Sequence, residues 1–169
     1  SGEIIIAKSN VTVGGSGAGT VRKVEDGLNR TMTAFKAMGC DSVILRDLSI
    51  DGNAGMNVEG SYEGVVFDHC SDSTISGVRV RDLNGVALEL TFCYLVRVEN
   101  SGIRDCSSHG ILVNYSVGVS MSGNIMQSCG DESVFLTHSR DCTVQGNQVL
   151  YGGLHGVRLE LSNYNVIEN

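Results

Sequence analysis

Ile111-Leu112-Val113-Asn114, Val134-Phe135-Leu136-Thr137 and Val157-Arg158-Leu159-Glu160 stand 23 residues apart, and each carries apolar residues at its first and third positions. Alternation of that kind belongs to a strand with one buried face. Val86 and Leu88 extend the pattern upstream, 25 residues before Ile111 and Val113. A second apolar column runs Ile75, Val98, Met121 and Val144 at intervals of 23, with Val166 following after 22.

A repeat of this length is too short for a helix pair, which needs about 33 residues or more. It suits a coil of two or three short strands joined by turns, each strand stacking in parallel on its equivalent ~4.8 Å away. Leucine-rich repeats share the period, but their Leu-x-x-Leu-x-Leu-x-x-Asn pattern is absent. The sequence therefore predicts an all-β chain, a single-stranded right-handed parallel β-helix of about seven coils. Outward positions are expected at Ala87, Leu112, Phe135 and Arg158, and at Asp68, Glu89, Asn114, Thr137 and Glu160.

Upstream, Val43-Ile44-Leu45, Leu48-Ser49-Ile50 and Val65-Val66-Phe67 read as an earlier coil widened by a loop from Asp51 to Tyr62. Ile4-Ile5-Ile6 and Val11-Thr12-Val13 supply still earlier strands, and the glycine-rich 14–19 segment reads as a turn, since it lacks the Lys-Ser/Thr ending of a phosphate loop. The segment 24–38 carries no decisive pattern. Repeats stop at Val166-Ile167-Glu168-Asn169 without a capping unit, so 1–169 reads as one domain cut from a longer chain.

Composition agrees with short strands and tight turns: 22 glycines, no proline, no tryptophan and 41% apolar residues among 169. Twelve basic against nineteen acidic residues give a net charge of -7, which opposes nucleic acid or an acidic membrane surface. The basic residues are scattered, only Arg22-Lys23 being adjacent, which argues against a polyuronate substrate. No run approaches the ~20 apolar residues of a membrane helix, so a soluble module is expected. Localisation is left open.

In a stacked coil a site is built from residues about one repeat apart. His109, Glu132 and His155 are such a line, at 23 and 23, placing a carboxylate between two imidazoles with Asp131 and Asp105 nearby. A His–carboxylate group is a common acid/base device. Asp68 and Glu89 are expected on adjacent rungs, at the ~5–5.5 Å carboxyl separation of retaining glycosidases. Phe135 offers a ring to a sugar, with Arg158 and Glu160 as polar contacts. Neither a metal nor a cofactor is expected. Asn124, Asn147 and Asn169, spaced 23 and 22, read as a structural asparagine ladder. Cys70/Cys93 and Cys106/Cys129, each pair 23 apart, are within bridging range, but Ser116 and Ser139 continue the first column, which favours free thiols in a small turn site.

The stretches from Lys8 to Val21 and from Leu45 to Asn53 resemble the early coils of pectate-lyase-type proteins, in the pectin-lyase-like superfamily. With the later coils they are similar to mannuronan epimerase modules and phage tailspike enzymes. That resemblance implies a polysaccharide partner, a site on the lateral face, and an extracellular or virion-associated setting. The epimerase motif Tyr-Gly-Phe-Asp-Pro-His falls on Val86-Ala87-Leu88-Glu89-Leu90-Thr91, where only a carboxylate is kept, so epimerisation is not expected. The function read here is a module that binds, and as an enzyme would hydrolyse or lyse, a polysaccharide using Glu132, Glu89, Asp68, His109 and His155, with Asp131, Asp105, Phe135, Arg158 and Glu160 holding substrate. The alternative is a non-catalytic shaft of a fibre, adhesin or phage tail appendage, forming a homo-oligomer, trimeric if tailspike-like.

Overall fold

A computed structural model describes residues 2–17, 19–27, 30–57 and 60–168. Short strands recur in threes along the chain, and every strand pairs in parallel with its equivalent in the next coil. Sheet A contains Ile4–Ile6, Met32–Met38, Tyr62–Asp68, Leu88–Thr91, Ile111–Asn114, Val134–Thr137 and Val157–Glu160. Sheet B contains seven strands from Thr12–Gly14 to Val166–Glu168, and sheet C six from Val21–Lys23 to Gln148–Leu150. Three parallel sheets wound in this order make a right-handed parallel β-helix. The undecided 24–38 segment contributes the seven-residue strand Met32–Met38. Within the widened loop a short 3-10 turn, Ala54–Met56, replaces regular strand.

Inward positions fill one continuous core. Phe67, Leu90, Val113 and Leu136 stack in one column, and Ile75, Val98 and Met121 in another, all fully buried. Apolar burial stabilises by roughly 25 cal/mol per Å², so each column is a chain of side chains that must stay apolar. Corners are turned by residues held at positive φ, and one such column reads Gly39, His69, Phe92, Tyr115, His138 and Leu161. Only the first is glycine; backbone hydrogen bonds to the next coil hold His69, Phe92, Tyr115 and His138 in this costly conformation.

Two expected columns are displaced. Leu88, not Val86, pairs with Ile111, and Leu90 with Val113, so the repeat is 23 from the Tyr62–Asp68 strand onward. Ala87 is buried rather than outward. Ile167, not Val166, pairs with Val144. In both places two neighbouring apolar residues fit the alternation equally well, and backbone pairing selects the other one.

The asparagine ladder is present at Asn124 and Asn147, while Asn169 lies outside the described residues. Asn124 is fully buried; its Oδ1 accepts from the Ser101 N–H at 2.9 Å, and its Nδ2 donates to the Val98 carbonyl and to Asn147 Oδ1, each at 2.9 Å. All six cysteines are free and buried. Cys93, Ser116 and Ser139 form one column, and each donates to the carbonyl two residues back, so thiol and hydroxyl serve the same turn.

Candidate functional site

The outer face of sheet A carries most of the chemistry, and its pairs obey one rule. A residue on a strand reaches the residue 26 positions earlier, which sits before or near the start of the strand of the preceding coil. Arg158 reaches Glu132 in this way, Phe135 reaches His109, and Glu89 lies beside Glu63.

Glu132 enters at the turn before Val134–Thr137 and is 1% exposed. His109 Nδ1 lies 3.0 Å from its Oε2, outside the direction of a regular hydrogen bond, and His155 Nδ1 lies 3.2 Å from its Oε1. Arg158 Nη1 donates to the same Oε1 at 3.3 Å, and its Nη2 donates to Glu160 at 2.6 Å. Burial pushes the Glu132 carboxyl up, but the hydrogen bonds of His155 and Arg158 and the charge of His109 outweigh it and hold the carboxyl below its usual range. The expected line of three is thus brought together. Phe135 is engaged by protein on both sides, with the Arg158 guanidinium 5.0 Å and the His109 ring 5.3 Å from its centroid.

The second group forms around Glu89, in the Leu88–Thr91 strand. Glu89 pairs with Val66 and Leu112, whereas Asp68 pairs with Thr91, so the expected Asp68–Glu89 rung contact is displaced by two residues. Asp68 and Glu89 are therefore diagonal neighbours, roughly 7–8 Å apart at the backbone, rather than directly opposed. Thr91 Oγ1 donates to Glu89 Oε1 at 3.0 Å. Burial pushes the Glu89 carboxyl up, opposed by the Thr91 hydroxyl, raised further by the charge of Glu63, lowered by Lys36 and raised by Asp68. Asp68 is held by His69 Nδ1 at 2.6 Å, and Glu63 accepts from the Thr33 hydroxyl at 2.8 Å.

The remaining expected residues fall outside these groups. Asp131 accepts from the Ser108 hydroxyl at 3.0 Å on the turn edge. Asp105 ends the Gly102–Cys106 strand region on sheet C and faces solvent 4.0 Å from Arg104 Nε. Sequence reading missed Glu63, because the loop from Asp51 to Tyr62 hides its place in the repeat. It also missed a stacked ladder in the corner after sheet A, His69–Phe92–Tyr115–His138, with ring centroids 4.7, 5.2 and 4.5 Å apart. Their 23-residue spacing was visible.

Fold and face together define a parallel β-helix with a carboxyl-rich lateral surface. The profile of the NosD family, described as periplasmic copper-binding protein, matches residues 39–169, and the chain belongs to that family. No curated protein is significantly similar to it. Among solved structures it is similar to the Azotobacter vinelandii mannuronan C-5 epimerase AlgE6 A-module, at 18% identity over 97% of this chain and 57% of that one, TM-score 0.74. It is similar to the catalytic domain of a GH87 alpha-1,3-glucanase in complex with tetrasaccharides, at 14% identity over 99% of this chain and 32% of that one, TM-score 0.76. A putative glycosyl hydrolase from Parabacteroides merdae matches at 19% identity over 94% of this chain and 75% of that one, TM-score 0.69. The chain thus spans between a third and about half of the first two proteins.

The family description implies copper, and the donors here do not suit it. Among the described residues no three His, Cys, Asp or Glu side chains converge as a metal site. His109 and His155 share their carboxylate with Arg158, whose guanidinium opposes a cation beside Glu132. Soft copper sites take thiolates, but burial pushes the Cys93 thiol up to about 12 and raises Cys70, Cys106, Cys129 and Cys142 as well.

Proposed function

We propose that the chain binds a neutral polysaccharide along the outer face of sheet A and hydrolyses it, with Glu89 as the general acid. The observation that carries this reading is Glu89 itself: a half-buried carboxyl pushed above its usual range by burial and by the charges of Glu63 and Asp68, against the Thr91 hydroxyl and Lys36. A general acid must hold its proton near neutral pH until the leaving oxygen arrives, and such pairs of unlike carboxyls mark acid and base roles. Asp68, oriented by His69, is the partner that activates water. The diagonal offset of these two strands suits the ~6.5–9.5 Å carboxyl separation of inverting enzymes rather than that of retaining ones. Glu63 acts through Glu89, as a charge that adds to the upward push of burial on its carboxyl.

Glu132 takes a different part. Ionised, buried and held from three sides, it anchors Arg158 and His155 at the edge of the face and does not donate a proton. A neutral chain fits because Glu63, Asp68 and Glu160 would repel a uronate. The alpha-1,3-glucanase supports a neutral glycan as partner, whereas the mannuronan epimerase module and the putative glycosyl hydrolase support a carbohydrate partner only in general.

Purified protein incubated with neutral glucans, α-1,3-linked glucan among them, should release new reducing ends. Glu89→Gln should lower that rate by about 10²–10⁴-fold while the protein stays folded. No product from any neutral glucan, or a Glu89→Gln rate equal to wild type, would overturn the proposal.

A further inference from the structure

Sheet C gathers arginines that are dispersed in sequence. Arg79 and Arg81 lie two residues apart on one strand and share an outward face, and Arg104 pairs with Arg81 on the next strand. Gly102 pairs with Arg79, so the place beside it holds no side chain; a Cβ there would meet only Arg79 Cγ, at 3.8 Å. The result is an open groove of about 420 Å³ with arginines along it and the exposed side chains of Val21 and Ile125 at its margins. The sequence expectation of a chain without a local basic cluster is therefore overturned: residues one repeat apart meet on one face.

The charges in the groove are incompletely neutralised. Arg81 Nη2 is paired to Asp51 at 2.8 Å. Arg104 has Asp105 at 4.0 Å, with both side chains more than half exposed, a contact of little strength. Arg79 has no side-chain hydrogen bond or ion pair among the described residues. Arg81 and Arg104 also stand on directly paired positions, where like charges repel. An anion placed between them would relieve that repulsion.

We propose that this groove binds a linear glycan bearing carboxylates, on a face separate from the carboxyl group of sheet A. A guanidinium fork matches a planar carboxylate with two parallel N–H donors, and Arg79 and Arg104 are the two forks not already taken by a close partner. Val21 and Ile125, with the open floor at Gly102, provide apolar contact for the C–H face of a sugar ring lying between charged groups. The groove crosses several coils, from Val21 to Gln127, and so suits an extended polymer. A single-stranded nucleic acid is disfavoured because the residues lining the groove include no aromatic ring on which a base could stack. The two faces thereby sort glycans by charge, sheet C holding an acidic chain that sheet A repels.

Binding of sodium polygalacturonate, measured by calorimetry at low ionic strength, tests this directly, with dextran as the neutral comparison. Arg79→Gln and Arg104→Gln should each weaken binding about tenfold, and the double variant about a hundredfold. Arg97→Gln, an exposed arginine on sheet B, should leave it unchanged, with thermal melting confirming that all variants fold. Glu89→Gln should also leave it unchanged, which separates this inference from the hydrolysis reading. Absence of wild-type binding, full binding by the double variant, equal loss in Arg97→Gln, or loss in Glu89→Gln would each overturn it. So would tighter binding of a single-stranded oligonucleotide than of polygalacturonate.

Discussion

Replacing Glu132 by glutamine keeps its shape and removes its charge, so it isolates what the carboxylate holds together. His155 and Arg158 reach solvent, and each of their contacts at 3.2 and 3.3 Å should contribute about 0.2–1 kcal/mol. His109 is mostly buried with Nδ1 3.0 Å from the carboxylate, so their attraction is less screened than that of the two exposed contacts although it lacks hydrogen-bond geometry. Desolvation of the carboxylate offsets part of that sum, leaving a net loss of about 1–3 kcal/mol in Glu132→Gln. For a domain of this size the melting temperature should fall by roughly 2–4 °C per kcal/mol. The pH dependence has a definite sign. Because the Glu132 carboxyl is held below its usual range in the folded protein, its contribution is present above the unfolded value of about 4.3 and is lost as pH falls through the lower folded value. Urea unfolding of both proteins between pH 3 and pH 7 should show a gap at neutral pH that closes in acid. Equal stabilities at pH 7, or a gap unchanged at pH 3, would refute this account of the cradle.

Asn124→Leu strands the Ser101 N–H and the Val98 carbonyl inside the stack and should cost about 2–5 kcal/mol in urea unfolding, whereas the same change at exposed Asn100 should cost far less. Met121→Asp places a carboxyl in a fully buried column and should abolish cooperative folding, as judged by far-ultraviolet dichroism and thermal melting. The six buried thiols, with Cys93 pushed up to about 12, should resist a water-soluble disulfide reagent at pH 8 and react together once the protein is unfolded.

The fold was legible because Met121, Val144, Val113 and Leu136 repeat at an interval only a short coil satisfies. Register was harder. Val86-x-Leu88 alternates as well as Leu88-x-Leu90, and Ala87 and Leu88 are both buried where the chain turns into sheet A, so apolarity cannot choose between them. That error propagated to the site, because moving the register by two residues separates Asp68 from Glu89 and pairs it with Thr91. The line His109–Glu132–His155 was readable because no insertion interrupts those coils. Glu63 was not, since strand equivalents before it are about 30 residues apart, as Phe35 and Val65 are. Arg81 and Arg104 obey the 23-residue rule, and they escape notice only when charge clusters are sought among neighbours in sequence.

The most direct test of the proposed hydrolysis follows the first product by proton NMR as it is released from a neutral glucan. The displaced Asp68–Glu89 geometry predicts that the new reducing end appears with the anomeric configuration opposite to the cleaved linkage, and that Glu89→Gln suppresses it. A product that first appears with the original configuration would contradict the assigned geometry, and the absence of any product would contradict the hydrolytic reading itself.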